Sequence, residues 1–200
     1  MTTRIPESLM AIIRRAYPPN EPLDEAGAVR TRQLKELVEN AKPQLEPKWK
    51  RLLSDVEKQW PDRTTWENTY LPLEPSFRLR LYTQQLPADI PQDPQAYHVA
   101  MVIMVSAIAP LHHLYVSLQR SEIVKGKERY PPPTLLHARD QWPASVRDDA
   151  WRLEELTMAA MGTTQLPLQL LETKVPFGEA TSEERNERTL GEYFFGTHWF

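Results

Sequence analysis

The 200-residue chain contains no cysteine. Disulfides, thiolate metal ligands and a cysteine nucleophile are thereby excluded together, and packing alone must hold the fold. Glycine is scarce as well: the six glycines are never clustered, so no glycine-rich loop exists to cradle a phosphate. A long apolar run is also missing. The charge-free segment Val99 to Leu111 is shorter than the ~20 residues a membrane-spanning helix requires, and it runs into Pro110, His112 and His113. Nor is there an excess of basic charge, with 24 Lys and Arg against 27 Asp and Glu, which argues against nucleic acid as a partner. No charged-then-apolar leader precedes the first helix. Arg4 to Ala16 carries Pro6 and Glu7 at its start and Arg14 and Arg15 behind its apolar part, and a cytoplasmic location is the resulting expectation.

Motifs for catalysis are lacking too. His98, His112, His113, His137 and His198 show no HExxH spacing, adjacent His112 and His113 on a strand point to opposite faces, and no serine lies in a GxSxG or SxxK context. The reading is therefore no catalytic residue, no cofactor and no metal. The alternative is a small hydrolase-type enzyme whose acid/base or metal site is dispersed, built from distant histidines with Glu154 or Glu155.

What the chain does have is 19 prolines, which break it into short elements, and one strongly apolar stretch, Tyr97 to Gln119. Its β-branched residues and apolar character on both faces predict two central strands, Tyr97 to Ile108 and Leu111 to Leu118, paired antiparallel, with Val102 and Val105 in the core. Phe77 to Tyr82 alternates as a strand with Phe77, Leu79 and Leu81 inward; Arg78 and Arg80 share the other face, where they bind an anion or face water, water being preferred.

Helical spacing predicts Glu7 to Tyr17, a helix capped by Asp24 and running to about Ala41, and a third from Pro47 to Trp60. The latter two, separated by Pro43, form a helical hairpin in this reading. Between Asp62 and Ser76 the chain reads as loop, anchored by Trp66 and Tyr70. Ser121 to Pro133 reads as a surface excursion. Ser145 caps a helix to Met161 that Gly162 ends, with Val146, Ala150, Leu153, Leu156 and Ala160 on its buried stripe. The aromatic segment Thr189 to Phe200 docks on the body as an added strand or turn. The whole is read as a single α+β domain over residues 1–200. It is mainly helical through residue 76, and beyond that its helices pack with the N-terminal hairpin on a small, mainly antiparallel sheet.

The charge is uneven: from Asp140 onward there are eleven acidic and five basic side chains. On the helix from Ser145 to Met161, Trp151 and Met158 lie seven residues apart, off the buried stripe, near Asp148, Glu154 and Glu155. An aromatic anchor ringed by carboxylates suits a protein partner with a basic surface, and these five residues are the candidate partner-binding set. The internal alternative is Trp151 packed in the core.

The order MVIMVSAIAPLHHLYVSLQ, a helix, LPLQLLETKVPFGEA and a closing TLGEYFFGTHWF resembles bacterial immunity proteins of polymorphic toxin systems, in which an "L…VP" segment precedes an F-F-x-x-x-W ending. The resemblance covers Tyr97 to the end and carries no site residues. It implies a cytosolic, non-catalytic protein that neutralises one cognate toxin by binding it. A scaffold domain would differ only in its partner.

Overall fold

Two adjacent strands run through the centre of the molecule, β3 (Tyr97–Ser106) and β4 (Leu111–Arg120), antiparallel with Ile103 opposite Leu114. They are described by a computed structural model covering residues 4–18, 31–69, 71, 74–83, 97–120, 122–124, 127–176 and 188–196. Asp24, Tyr70, Phe177, His198, Trp199 and Phe200 lie outside the described residues.

β2 (Ser76–Tyr82) pairs antiparallel with β3, and β1 (Thr65–Glu67) with β2. The other side of β4 is shared by two short strands after a small β5–β6 hairpin (Glu122–Val124, Lys127–Arg129). β7 (Thr134–Leu136) runs antiparallel to its C-terminal half, and β8 (Thr164–Gln165) parallel to its first residues. The sheet is thus mainly antiparallel, and helices stand on both sides of it in sequence, as the α+β reading requires.

The registers sort the side chains into two faces. Phe77, Leu79 and Leu81, with Met101, Ile103 and Val105 and with His112, Leu114 and Val116, share the first face, and α2 (Arg32–Gln59) and α3 (Ala144–Met161) cover it. Trp49 of α2 lies against Phe77, with ring centroids 5.2 Å apart. The second face carries Ser76, Arg78, Arg80 and Tyr82, then Ala100, Val102 and Met104, then His113, Tyr115 and Ser117. Among the described residues, one end of it is roofed, by α5 (Leu190–Phe195), which follows the short α4 (Leu168–Leu171). Ser76 donates to the Phe195 carbonyl at 2.8 Å, and the His113 ring lies 6.1 Å from that of Phe195. Val102 and Val105 are fully buried, as the apolar run implied.

The helical hairpin is not formed. α2 is one 28-residue helix that contains both Pro43 and Pro47, and Thr31 caps it, accepting from the Leu34 N–H at 3.0 Å. Proline in a helix interior removes a donor and crowds the carbonyl four residues back. Here both prolines fall on the exposed side, so the carbonyls of Glu39 and Pro43 that lose their partners face water. The buried side continues in phase through them: Leu34, Val38, Ala41, Leu45, Trp49, Leu52 and Val56 recur every three or four residues. Burial of this seam outweighs the local cost of the prolines.

Two further elements differ from expectation. The closing aromatic segment docks as a helix, α5, begun by a capping box between Thr189 and Glu192, with Tyr193, Phe194 and Phe195 buried. Trp66 is no core anchor. It sits on edge strand β1, 47% exposed.

α1 (Glu7–Ala16) is held from two sides. Thr31 donates to the Ala16 carbonyl, and the Tyr17 hydroxyl donates to the Tyr193 carbonyl at 2.7 Å. No helix among the described residues is long and apolar enough to cross a membrane.

Candidate functional site

α3 presents the candidate partner-binding residues on two different sides. Trp151 is 53% and Met158 46% exposed, and Asp148 and Glu155 are exposed beside them on the same helical face. The surface alternative for Trp151 therefore holds over the core alternative. Glu154 does not belong to this group: it is 7% exposed and points towards the sheet. The buried stripe of α3 is turned slightly from the one the sequence suggested, with Glu154, Thr157 and Met161 enclosed and Leu156 and Ala160 only half-buried. Glu154 can face inward because partners await it. Arg139, in the 3-10 turn Arg139–Gln141, donates to both its carboxylate oxygens at 2.7 Å, and His112 Nε2 lies 3.4 Å from Oε1. The other His112 nitrogen is 3.0 Å from the Thr163 hydroxyl, and Arg139 also reaches Gln165. This cluster ties α3 to β4 and β8. A buried carboxylate without such partners would be costly.

The acidic ring around Trp151 is correspondingly depleted. Asp149 accepts from the Trp60 indole at 3.0 Å and from Arg63 at 2.6 Å, which fastens α3 to the end of α2, and Glu155 pairs with Arg152 at 3.0 Å. Of the four carboxylates on α3, Asp148 is the one without an ion pair among the described residues. The candidate residues exposed on this face are thus Asp148, Trp151, Glu155 and Met158, with Asp149 and Glu154 drawn into pairs within the chain.

On the second face, Arg78 does not look into water. It is 2% exposed beneath α5 and donates to Glu74 at 3.0 Å. Gly196 closes the site from above with a φ of +94°, a conformation that side-chain-bearing residues rarely adopt, and a Cβ there would meet Glu74 at 3.2 Å. Beside this pair His113 and His137 stack, and Tyr115 stacks on His113. Burial first, and the neighbouring His137 and His112 second, hold the His113 pKa down at about 3. His137 is also lowered by burial, against a smaller opposing pull from Glu172.

Past Tyr115, where α5 no longer covers the sheet, the second face opens into a cleft of about 300 Å³. Its floor is Ala100 and Ser117, which lie side by side in register with Tyr82. Two small residues between larger ones leave a depression, walled by Tyr82 and Tyr130 and flanked by Arg80 and His98. Gln119 also lines it and donates to the Pro131 carbonyl, fixing the chain beside Tyr130 against the sheet. The sequence offered Arg80 as a possible anion ligand but gave no sign of the floor, because Ala100 and Ser117 become neighbours only through strand register.

Among the described residues, no group of three or more His, Asp or Glu side chains is placed to hold a metal ion. No protein-family model, curated protein or solved structure matches the chain.

Proposed function

We propose that the chain is a non-catalytic binding protein of the immunity type, which neutralises a cognate toxin in the cytoplasm by holding it against the outer face of α3. The observation that carries this reading is the exposure of Trp151 and Met158, two turns apart on a helix that is otherwise fixed in place. Large apolar side chains displayed together on a rigid element form the kind of anchor around which protein interfaces concentrate their energy. The helix is rigid for stated reasons: Asp149 pins its start to α2, Glu154 pins its middle to the sheet, and Gly162 in the left-handed conformation ends it. The resemblance of the region from Tyr97 onward supports the same reading.

The enzymatic alternative needs an accessible acid/base pair. The best-placed pair, His112 and Glu154, is enclosed, and Thr163 and Arg139 already occupy it. This favours binding over catalysis.

The test is functional. The product of the adjacent reading frame, expressed in the cytoplasm, should arrest growth, and co-expression of this chain should restore it and yield a complex that survives size-exclusion chromatography. Trp151→Ala combined with Met158→Ala should abolish rescue while the protein melts like the parent. Absence of both rescue and complex with the parent chain would sink the proposal, and full rescue by the double variant would move the interface towards the loop Ser121 to Pro133.

A further inference from the structure

The cleft on the second face lies across the sheet from α3 and plays no part in the proposed contact with a toxin. We propose that it binds a small organic anion, a planar ring bearing a carboxylate or a phosphate.

Charge sets the sign of the ligand. Arg80 is the fixed cation at the cleft, and its lining has no Asp or Glu among the described residues. The Arg80 guanidinium lies 5.0 Å over the Trp66 ring and has no carboxylate partner among the described residues. Its Nε is enclosed without a hydrogen-bond partner. An arginine set over an aromatic ring and without a carboxylate partner among the described residues can turn its terminal nitrogens to an oxyanion, because the ring contact limits the positions the guanidinium can take. Arg78, two residues earlier, faces the same side of the same strand but is neutralised by Glu74 at 3.0 Å. Among the described residues the cleft thus holds the strand's one guanidinium without a carboxylate.

Shape sets the rest. The Ala100 and Ser117 floor is narrow, Tyr82 and Tyr130 are the walls, and a ring between them would stack while the Ser117 hydroxyl supplies a polar contact from the floor and the exposed His98 imidazole one from the rim. About 300 Å³ stands at the lower end of ligand-pocket volumes, which fits one ring system with its anionic group and excludes a larger cofactor.

The experiment titrates the full chain with phenyl phosphate and with benzoate by isothermal titration calorimetry, using benzyl alcohol and benzylamine as neutral and cationic controls of similar shape. Saturable binding of either anion, with the controls at least about tenfold weaker, is expected, since a charge-assisted hydrogen bond is worth that much or more. Preference for phenyl phosphate would point to phosphate-bearing ligands in the cell, and preference for benzoate to carboxylates. Arg80→Gln should weaken binding by about tenfold or more. Ala100→Leu, which fills the floor, should remove it with the melting temperature close to the parent's. If Arg80→Gln does not fold, Ala100→Leu and His98→Gln still decide. Failure of both anions to saturate overturns the proposal, as does equal binding of the controls or binding unchanged in the folded variants. None of these results bears on growth rescue through Trp151 and Met158, so the two proposals fail separately.

Discussion

His113 Nε2 lies 2.9 Å from His137 Nδ1, so one imidazole must donate and the other accept, and the pair cannot be doubly protonated without breaking. His113 is neutral in the folded protein down to about pH 3, whereas in the unfolded chain it titrates near 6.5. A histidine whose pKa is lowered by folding contributes fully above the unfolded value, and the contribution is lost as pH falls. Stability should therefore decline from about pH 6.5 towards 3, by roughly 2 kcal/mol at pH 5 from this residue alone. Urea denaturation of the parent and of His113→Gln across that range checks it. The variant should start less stable and show the shallower pH dependence.

Val102 is fully buried in the central strand and faces Arg80 and Tyr115 across the register. Val102→Asp places an unpaired charge in the core at a cost of several kcal/mol, comparable to the whole stability of a domain. Loss of the cooperative thermal transition by circular dichroism is expected. A melting curve like the parent's would contradict the central placement of β3.

Trp151→Ala and Glu154→Ala separate the two sides of α3. The first removes an exposed side chain and should shift stability by no more than about 0.5 kcal/mol. The second removes the acceptor of Arg139 and a neighbour of His112 and should cost about 1 to 3 kcal/mol, moderated because Arg139 is itself partly exposed to water. Chemical denaturation of both variants in one buffer measures the difference. A similar loss in both would contradict the assignment of opposite sides.

Pro43→Ala and Pro47→Ala test the continuity of α2. Each restores a donor in the middle of a helix, to the carbonyl of Glu39 or of Pro43, and each should raise stability, by about 1 kcal/mol or more, as alanine is much the better helix former. Were the chain to turn between two helices here, the same replacements would loosen the turn and lower stability. The melting temperatures of the two variants distinguish the cases.

Why the sequence suggested a hairpin at this point is clear from the residues. Pro43 and Pro47 are strong local signals for a break between helices. The weaker signal was correct: Leu34, Val38, Ala41, Leu45, Trp49, Leu52 and Val56 keep one phase across both prolines, which two independent helices would have no reason to do. The candidate site was legible in part for a related reason. Trp151 and Met158 fall off the buried stripe by simple helical geometry, and they are exposed. Glu154 lies close enough to that stripe for its burial to depend on Arg139 and His112, residues outside the helix.

The sequence by itself determined the paired central strands, the opposite facing of His112 and His113, and the stop of α3 at Gly162, where φ is +68°. Each follows from interactions within a few residues: side-chain alternation along a strand, a turn after Ala109, a glycine free to adopt the left-handed conformation. Only the tertiary structure decided that Arg78 is buried and Arg80 is not, although both alternate out of the same strand towards the same face. The difference is α5, arriving more than a hundred residues later to cover the Arg78 end of that face. Burial of a polar side chain is set by what lies above it, and register and long-range packing supply that neighbour.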